Sequence, residues 1–104
     1  MTFDAFVRSL AEPAPPPDCE VALRALWYDA NGRTDSAVAA AEFDTGHLCR
    51  RVRAYLHRKA GDTGNAELWY WRAGTTPWVG SLEDEWADIV HTILAERVVA
   101  NAYT

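Results

Sequence analysis

The sequence predicts an all-α fold of about six helices, and three observations carry that expectation. Apolar residues recur at helical spacing in successive segments. No segment alternates apolar and polar residues with the period of two that a half-buried strand requires. A short pattern occurs twice, with a glycine at the same place in each copy. The chain has 104 residues, a length that suits one domain burying roughly two thirds of its unfolded surface in a single core. Residues 1–104 are therefore read as one domain.

The elements follow in order. Phe3, Phe6, Val7 and Leu10 place a first helix from Thr2 to about Glu12. Pro13 and the run Pro15-Pro16-Pro17 stop it, because proline has no N–H to donate and consecutive prolines favour an extended chain. Asp18 stands where it would cap a second helix running to about Ala30. Within that helix the duplication begins. Leu23-Arg24-Ala25, Gly32, Thr34 and Ala37 recur 29 positions later as Val52-Arg53-Ala54, Gly61, Thr63 and Ala66. In each copy a helical pattern ends at a glycine suited to a left-handed C-terminal cap. A Thr or Asp then offers an oxygen to the free N–H groups of the next helix. Each copy reads as helix, tight turn, helix. Ala37 to Phe43 is a short third helix, Leu48 to Ala60 a fourth and Asn65 to Ala73 a fifth, followed by a loop from Gly74 to Gly80 that contains Pro77. Ser81-Leu82-Glu83-Asp84 has the capping-box pattern and opens the longest helix, to about Val99, with Leu82, Trp86, Ile89, Val90, Ile93 and Leu94 on one side. This helix is expected to cover the open end of the stacked hairpins, which would otherwise leave an apolar face in water.

Ala66-x-x-Trp69-Tyr70-x-x-Ala73, preceded by Gly61-Asp62, resembles the second half of a tetratricopeptide repeat or of its Sel-one-like relatives. Residues 47–77 fit that register, with Ala54 at the small position of the first helix, His57 where an aromatic is usual, and Pro77 near the usual terminal proline. Residues 21–44 fit less closely, since Ala41 and Asp44 replace the aromatic and the small residue of the second helix. The resemblance implies two tetratricopeptide-like hairpins, flanked by an N-terminal helix and a C-terminal capping helix, acting in protein–protein interaction. The same stretch, with Leu56-His57-Arg58-Lys59, Gly61-Asp62, Asn65-Ala66 and Trp69-Tyr70-x-Arg72-Ala73-Gly74, is also similar to a small family of bacterial proteins. That family's pattern has His at the position of Arg53 and Glu at that of Ala60, and it assigns no activity.

Composition narrows the functional classes. Fifteen Asp and Glu against ten Lys and Arg give a net charge of −5, which disfavours nucleic acid because a binder needs a broad cationic face for phosphates. No apolar run approaches the ~20 residues that span a bilayer, and the N-terminus lacks the charged-then-apolar plan of a signal peptide. A cytoplasmic protein without membrane attachment is expected. Cys19 and Cys49 stand 30 positions apart without a CxxC pattern, which reads as two free thiols. No His or Cys spacing matches a metal site, and His47, Cys49 and His91 are isolated. No nucleophile has a positioned base, so neither a catalytic residue nor a cofactor is assigned.

The candidate binding residues are Arg53, His57, Arg58, Trp69, Trp71 and Arg72. Arg50, Arg53 and His57 fall on one helix stripe, and Trp69-Tyr70-Trp71 spread over about 200° of a helix, so the three aromatics cannot all face one core. The leading expectation is an interaction module whose aromatic and basic surface holds an acidic or apolar segment of another protein, or a second copy of this chain. The alternative, from another class, is a site for a small anionic metabolite framed by Arg53, His57 and Arg72. The competing structural reading is a basic solvated face that pairs with Glu67, Asp62 and the run Glu83-Asp84-Glu85, with no ligand at all.

Overall fold

The computed structural model describes residues 1–102, with side chains through residue 97. It is all-helical, with six helices and no strand among the described residues: α1 (Phe3–Ser9), α2 (Val21–Ala30), α3 (Thr34–Phe43), α4 (His47–Lys59), α5 (Thr63–Arg72) and α6 (Leu82–Ala102). Among the described residues no helix is long and apolar enough to cross a membrane.

The duplicated glycines terminate their helices by one mechanism. Gly32 and Gly61 have φ of 73° and 81°, in the left-handed region that costs other residues steric energy. The N–H of Gly32 donates to the Asp29 carbonyl at 3.0 Å and that of Arg33 to Tyr28 at 2.9 Å. At the second copy Gly61 donates to Arg58 at 3.0 Å and Asp62 to His57 at 2.9 Å. These paired bonds satisfy the last carbonyls and reverse the chain. A third instance, which the sequence reading took only as a loop start, ends α5. Gly74 has φ 75°, and Thr75 donates to the Tyr70 carbonyl at 3.1 Å.

Small residues then let each pair of helices close. Ala25, Ala37 and Ala41 are fully buried where α2 meets α3, and Ala54 with Ala66 and Tyr70 forms the corresponding seam between α4 and α5. The hairpins meet through α4, which packs on both α2 and α3. Trp27 lies in the core, and its indole N–H donates to the Ser9 carbonyl at 3.1 Å, fastening α1 to α2.

Several boundaries differ from expectation for identifiable reasons. α1 stops at Ser9 rather than Glu12, because Leu10, Ala11 and Glu12 each donate to the carbonyl three residues back and tighten the turn. Asp18 does not cap α2. Cys19 is drawn into the core instead, and the helix starts at Val21 with no side-chain cap. α3 begins at Thr34, three residues early, and its cap residue Arg33 supplies no side-chain bond. The expected Thr or Asp cap therefore forms only in the second copy, where Asp62 Oδ1 accepts from the Asn65 N–H at 3.3 Å. At the capping-box pattern Ser81 does cap α6, its hydroxyl accepting from the Asp84 N–H at 3.0 Å.

The largest correction concerns α6. It does not cover the open end of the stack beyond α5. It lies along α4, α2 and α1, filling the inner surface made by the first helix of each hairpin. Ile89, Val90 and Ile93 are buried there, and the Trp86 indole donates to the Leu26 carbonyl at 3.1 Å. Among the described helices α5 lies close along α4 only, and its outer side stays uncovered.

Two glycines on either side of the α4–α5 joint should respond oppositely to alanine. Gly61→Ala meets no neighbour within 4 Å but forces a Cβ into positive φ, and should cost about 1–2 kcal/mol in urea denaturation. Gly64→Ala, inside α5 with equally open space, should gain about 0.5 kcal/mol. Equal effects of the same sign would contradict the left-handed termination.

Candidate functional site

α4 carries seven cationic positions in its 13 residues: His47, Arg50, Arg51, Arg53, His57, Arg58 and Lys59. A helix turns these around its axis, and their neighbours sort them into two groups.

Arg51 and Arg58, seven positions apart, share the face turned to α6. Between them lies Glu85, whose side chain is 0% exposed. A lone carboxylate in that position would be very costly, and it is held here by three donors. Arg51 Nη1 donates to Oε2 at 2.5 Å, Arg58 Nη1 to Oε1 at 3.0 Å, and the Tyr70 hydroxyl to Oε2. Arg58 also donates through Nη2 to the Gly80 carbonyl, which ties the 74–80 loop to the same cluster. Burial, the bond to Glu85 and its charge push the Tyr70 phenol up to about 12. A second buried carboxylate, Asp29, sits in the last turn of α2, where the helix dipole disfavours an anion. Lys59 Nζ at 3.0 Å and the Tyr55 hydroxyl at 2.9 Å offset this, and burial together with Asp29 drives the Tyr55 phenol well above its usual range.

The two histidines of α4 also face carboxylates. His47 Nε2 is 2.8 Å from Glu96 Oε1, and His57 Nδ1 is 3.5 Å from Asp62 Oδ2. The bonds from the Asn65 side chain and backbone, with His57 adding to them, hold the Asp62 carboxyl below the usual range.

Arg50 and Arg53 remain. They project toward α5 and meet Arg72 at Trp69. The Arg53 guanidinium carbon stands 3.6 Å from the centroid of the Trp69 ring and that of Arg72 4.7 Å from it, close enough for both to stack as cation–π pairs. Arg50 Nη1 donates to the Arg72 carbonyl at 3.2 Å. Together with Thr45 these side chains line a concavity of about 300 Å³. Among the described residues no carboxylate lies within 4.0 Å of any of the three guanidinium groups.

The six residues singled out in the sequence are thus divided. Arg53, Trp69 and Arg72 come together. His57 turns to Asp62 and lines a second groove, of about 340 Å³ between α3 and α4, with Val38, Ala41 and Leu56, and Arg53 borders both concavities. Arg58 belongs to the buried Glu85 cluster. Trp71 is 77% exposed on the outer side of α5, one turn beyond Leu68, which is also exposed. Trp78 covers the Ala54–Tyr70 seam beside Trp69 and leaves Trp71 open. Glu67 forms none of the ion pairs among the described residues. Arg50 was noted on the stripe but not selected. Glu85, expected to pair with the basic face of α4 in solvent, does pair with Arg51 and Arg58 but is buried, because its spacing from Leu82 and Ile89 places it on the apolar side of α6.

A cleft of about 610 Å³ lies between α4, α6 and the 74–80 loop. Its charged lining is mostly engaged already, His47 with Glu96 and Arg51 with Glu85. No group of three or more His, Cys, Asp or Glu that could hold a metal occurs among the described residues. Both cysteines are free and buried, and burial raises each thiol from 9.0 to about 11. Neither is a thiolate at neutral pH, which removes them as nucleophiles.

Two measurements test this arrangement. Glu85→Gln strands two guanidinium groups and should cost about 3 kcal/mol in urea denaturation, whereas exposed Glu83→Gln should stay within about 0.5 kcal/mol. Since the native thiols hold their protons to about 11 and unfolded ones release them near 9.0, stability is retained below pH 9 and falls between 9 and 11. Removing both thiols as Cys19→Ala and Cys49→Ala should flatten that decline, and an unchanged slope would contradict it. Comparison of the chain with protein-family models, with curated proteins and with solved structures gave no match.

Proposed function

We propose that this chain is a protein-interaction module that holds an acidic segment of another protein against the outer side of α5. The observation that carries the reading is Trp71. It stands 77% exposed beside exposed Leu68 on a helix packed against α4 alone. A large indole held in water is an anchor suited to a partner, and Trp and Arg are the side chains most common at binding hot spots. The Arg50, Arg53 and Arg72 cluster follows on the same helix pair and sets the sign of the partner, since three arginines that form no ion pair among the described residues gather here.

The two hairpins, with alanines at their seams and left-handed glycines at their joints, support the tetratricopeptide-like or Sel-one-like reading. With α6 seated along the first helices of both hairpins, the docking face falls on the outside of the second hairpin. The cytoplasm, where buried thiols stay reduced, is the compartment this reading assumes.

Panning a random-peptide display library on the immobilised chain should enrich sequences with two or more acids beside an aromatic or aliphatic residue. A consensus peptide should bind at least about tenfold more weakly to Trp71→Ala, whose melting temperature should match the parent because the side chain makes little buried contact. Enrichment of no consensus, or of one indifferent to Trp71→Ala, would remove the proposal. A dimer in sedimentation that Trp71→Ala dissolves would reassign the face to a second copy of the chain.

A further inference from the structure

We infer that Arg50, Arg53 and Arg72, with Thr45, form a seat for a phosphate monoester dianion braced on the indole of Trp69. This deepens the docking reading by giving the chemistry of the partner's charged group, yet it rests on different side chains from Trp71.

The reasoning starts from how α4 distributes its charge. Five of its seven cationic positions face a carboxylate: His47 with Glu96, Arg51 and Arg58 with Glu85, His57 with Asp62, and Lys59 with Asp29. In a protein with fifteen acids against ten Lys and Arg, carboxylates are plentiful. The remaining two, with Arg72 from α5, converge on one concavity of about 300 Å³ without one. Guanidinium groups do not shed their charge at any physiological pH, so three of them together repel one another until an anion arrives.

Their geometry favours a particular anion. Contact with the Trp69 ring, at 3.6 Å from Arg53 and 4.7 Å from Arg72, holds both guanidinium groups in place. A cation–π contact consumes no N–H, so their donors stay available to an anion. Arg50 spends one N–H on the Arg72 carbonyl at 3.2 Å and keeps others. A single carboxylate supplies one charge and two acceptor oxygens to this set. A phosphate monoester supplies nearly two charges and three acceptors, a closer match to three cations and a hydroxyl. A nucleic-acid strand is a poor match, because it needs cations along a track rather than one cluster on an acidic protein. The expected set of Arg53, His57 and Arg72 is therefore amended. His57 is engaged by Asp62 and Arg50 takes its place.

The ester can be a phosphorylated side chain in a partner segment or a free small phosphate, and the test separates them. Nitrogen-15-labelled full-length chain is titrated at constant ionic strength with phenyl phosphate, benzoate and a phosphoserine peptide, following the arginine Nε–H and Trp69 indole signals. Phenyl phosphate should give saturable shifts at the seat, and benzoate should bind at least about tenfold more weakly. Arg50→Gln, which leaves both stacking contacts on Trp69 intact, should weaken phenyl phosphate at least about tenfold. Trp71→Ala should leave it unchanged, so loss of peptide docking and loss of the seat are read separately. Tighter binding of the phosphoserine peptide than of phenyl phosphate supports the seat with a modified protein as its source. Equal binding supports it with a free monoester. Shifts that do not saturate, that benzoate matches, or that persist undiminished in Arg50→Gln overturn the proposal.

Discussion

The carboxylate of Glu85 is the interaction on which the rest of this structure depends. It enters the core from the first turn of α6 and is met by Arg51 and Arg58 of α4 and by Tyr70 of α5. Three helices that share few other polar contacts are thereby brought to one point, and the Gly80 carbonyl adds the loop between α5 and α6. Such a cluster contributes less to net stability than its bonds suggest, because desolvation of the ions opposes the attraction. Its stronger effect is on geometry. Only one rotation of α4 about its axis, and one height of α6 along it, brings both arginines onto the two carboxylate oxygens.

That constraint explains why α6 lies where it does. Its apolar side, Leu82, Trp86, Ile89, Val90 and Ile93, could in principle have packed on any exposed hairpin face. Placed beyond α5, it would have left Glu85 facing solvent and Arg51 and Arg58 without their buried partner. Placed along α4 and α2, it buries the same apolar side and completes the charge cluster, while the Trp86 indole finds the Leu26 carbonyl. The cost of this choice is borne by α5, which among the helices packs its backbone only on α4 and leaves Trp71 and Leu68 in water.

Local features of this architecture were legible in the sequence, and long-range ones were not. Gly32, Gly61 and Ser81 act within a few residues of themselves, so a pattern of helical period, glycine and hydroxyl suffices to place them. Ala54 and Ala66 were legible because the duplication marks both as seam residues. The placement of α6 depends on Glu85 meeting Arg51 and Arg58, 34 and 27 positions away, and nothing local encodes that pairing. A signal was nonetheless present. Glu85 follows Leu82 by three and precedes Ile89 by four, and Asp29 follows Leu26 by three and Ala25 by four, so both acids fall on apolar stripes. An acid on such a stripe needs a cation at the facing position. The division of the candidate site has the same origin. Arg58 and His57 are neighbours in sequence, but a helix turns them to different partners, and a list of nearby cations cannot tell which are already engaged.

The buried cluster and the exposed one are linked through the helices that carry both. Arg50 and Arg53 stand on α4, whose opposite side is fixed by Arg51 and Arg58 on Glu85. Arg72 and Trp69 stand on α5, which is held by Tyr70 on that same carboxylate and by the close seam of Ala54 and Ala66. Trp69 and the three arginines around it therefore project from two helices whose relative position is set from behind. Binding groups fixed this way lose little conformational freedom when a ligand arrives, which favours affinity from a few contacts. Glu85 acts inside, fixing α4 and α5, while three arginines stand outside with no carboxylate within 4.0 Å among the described residues.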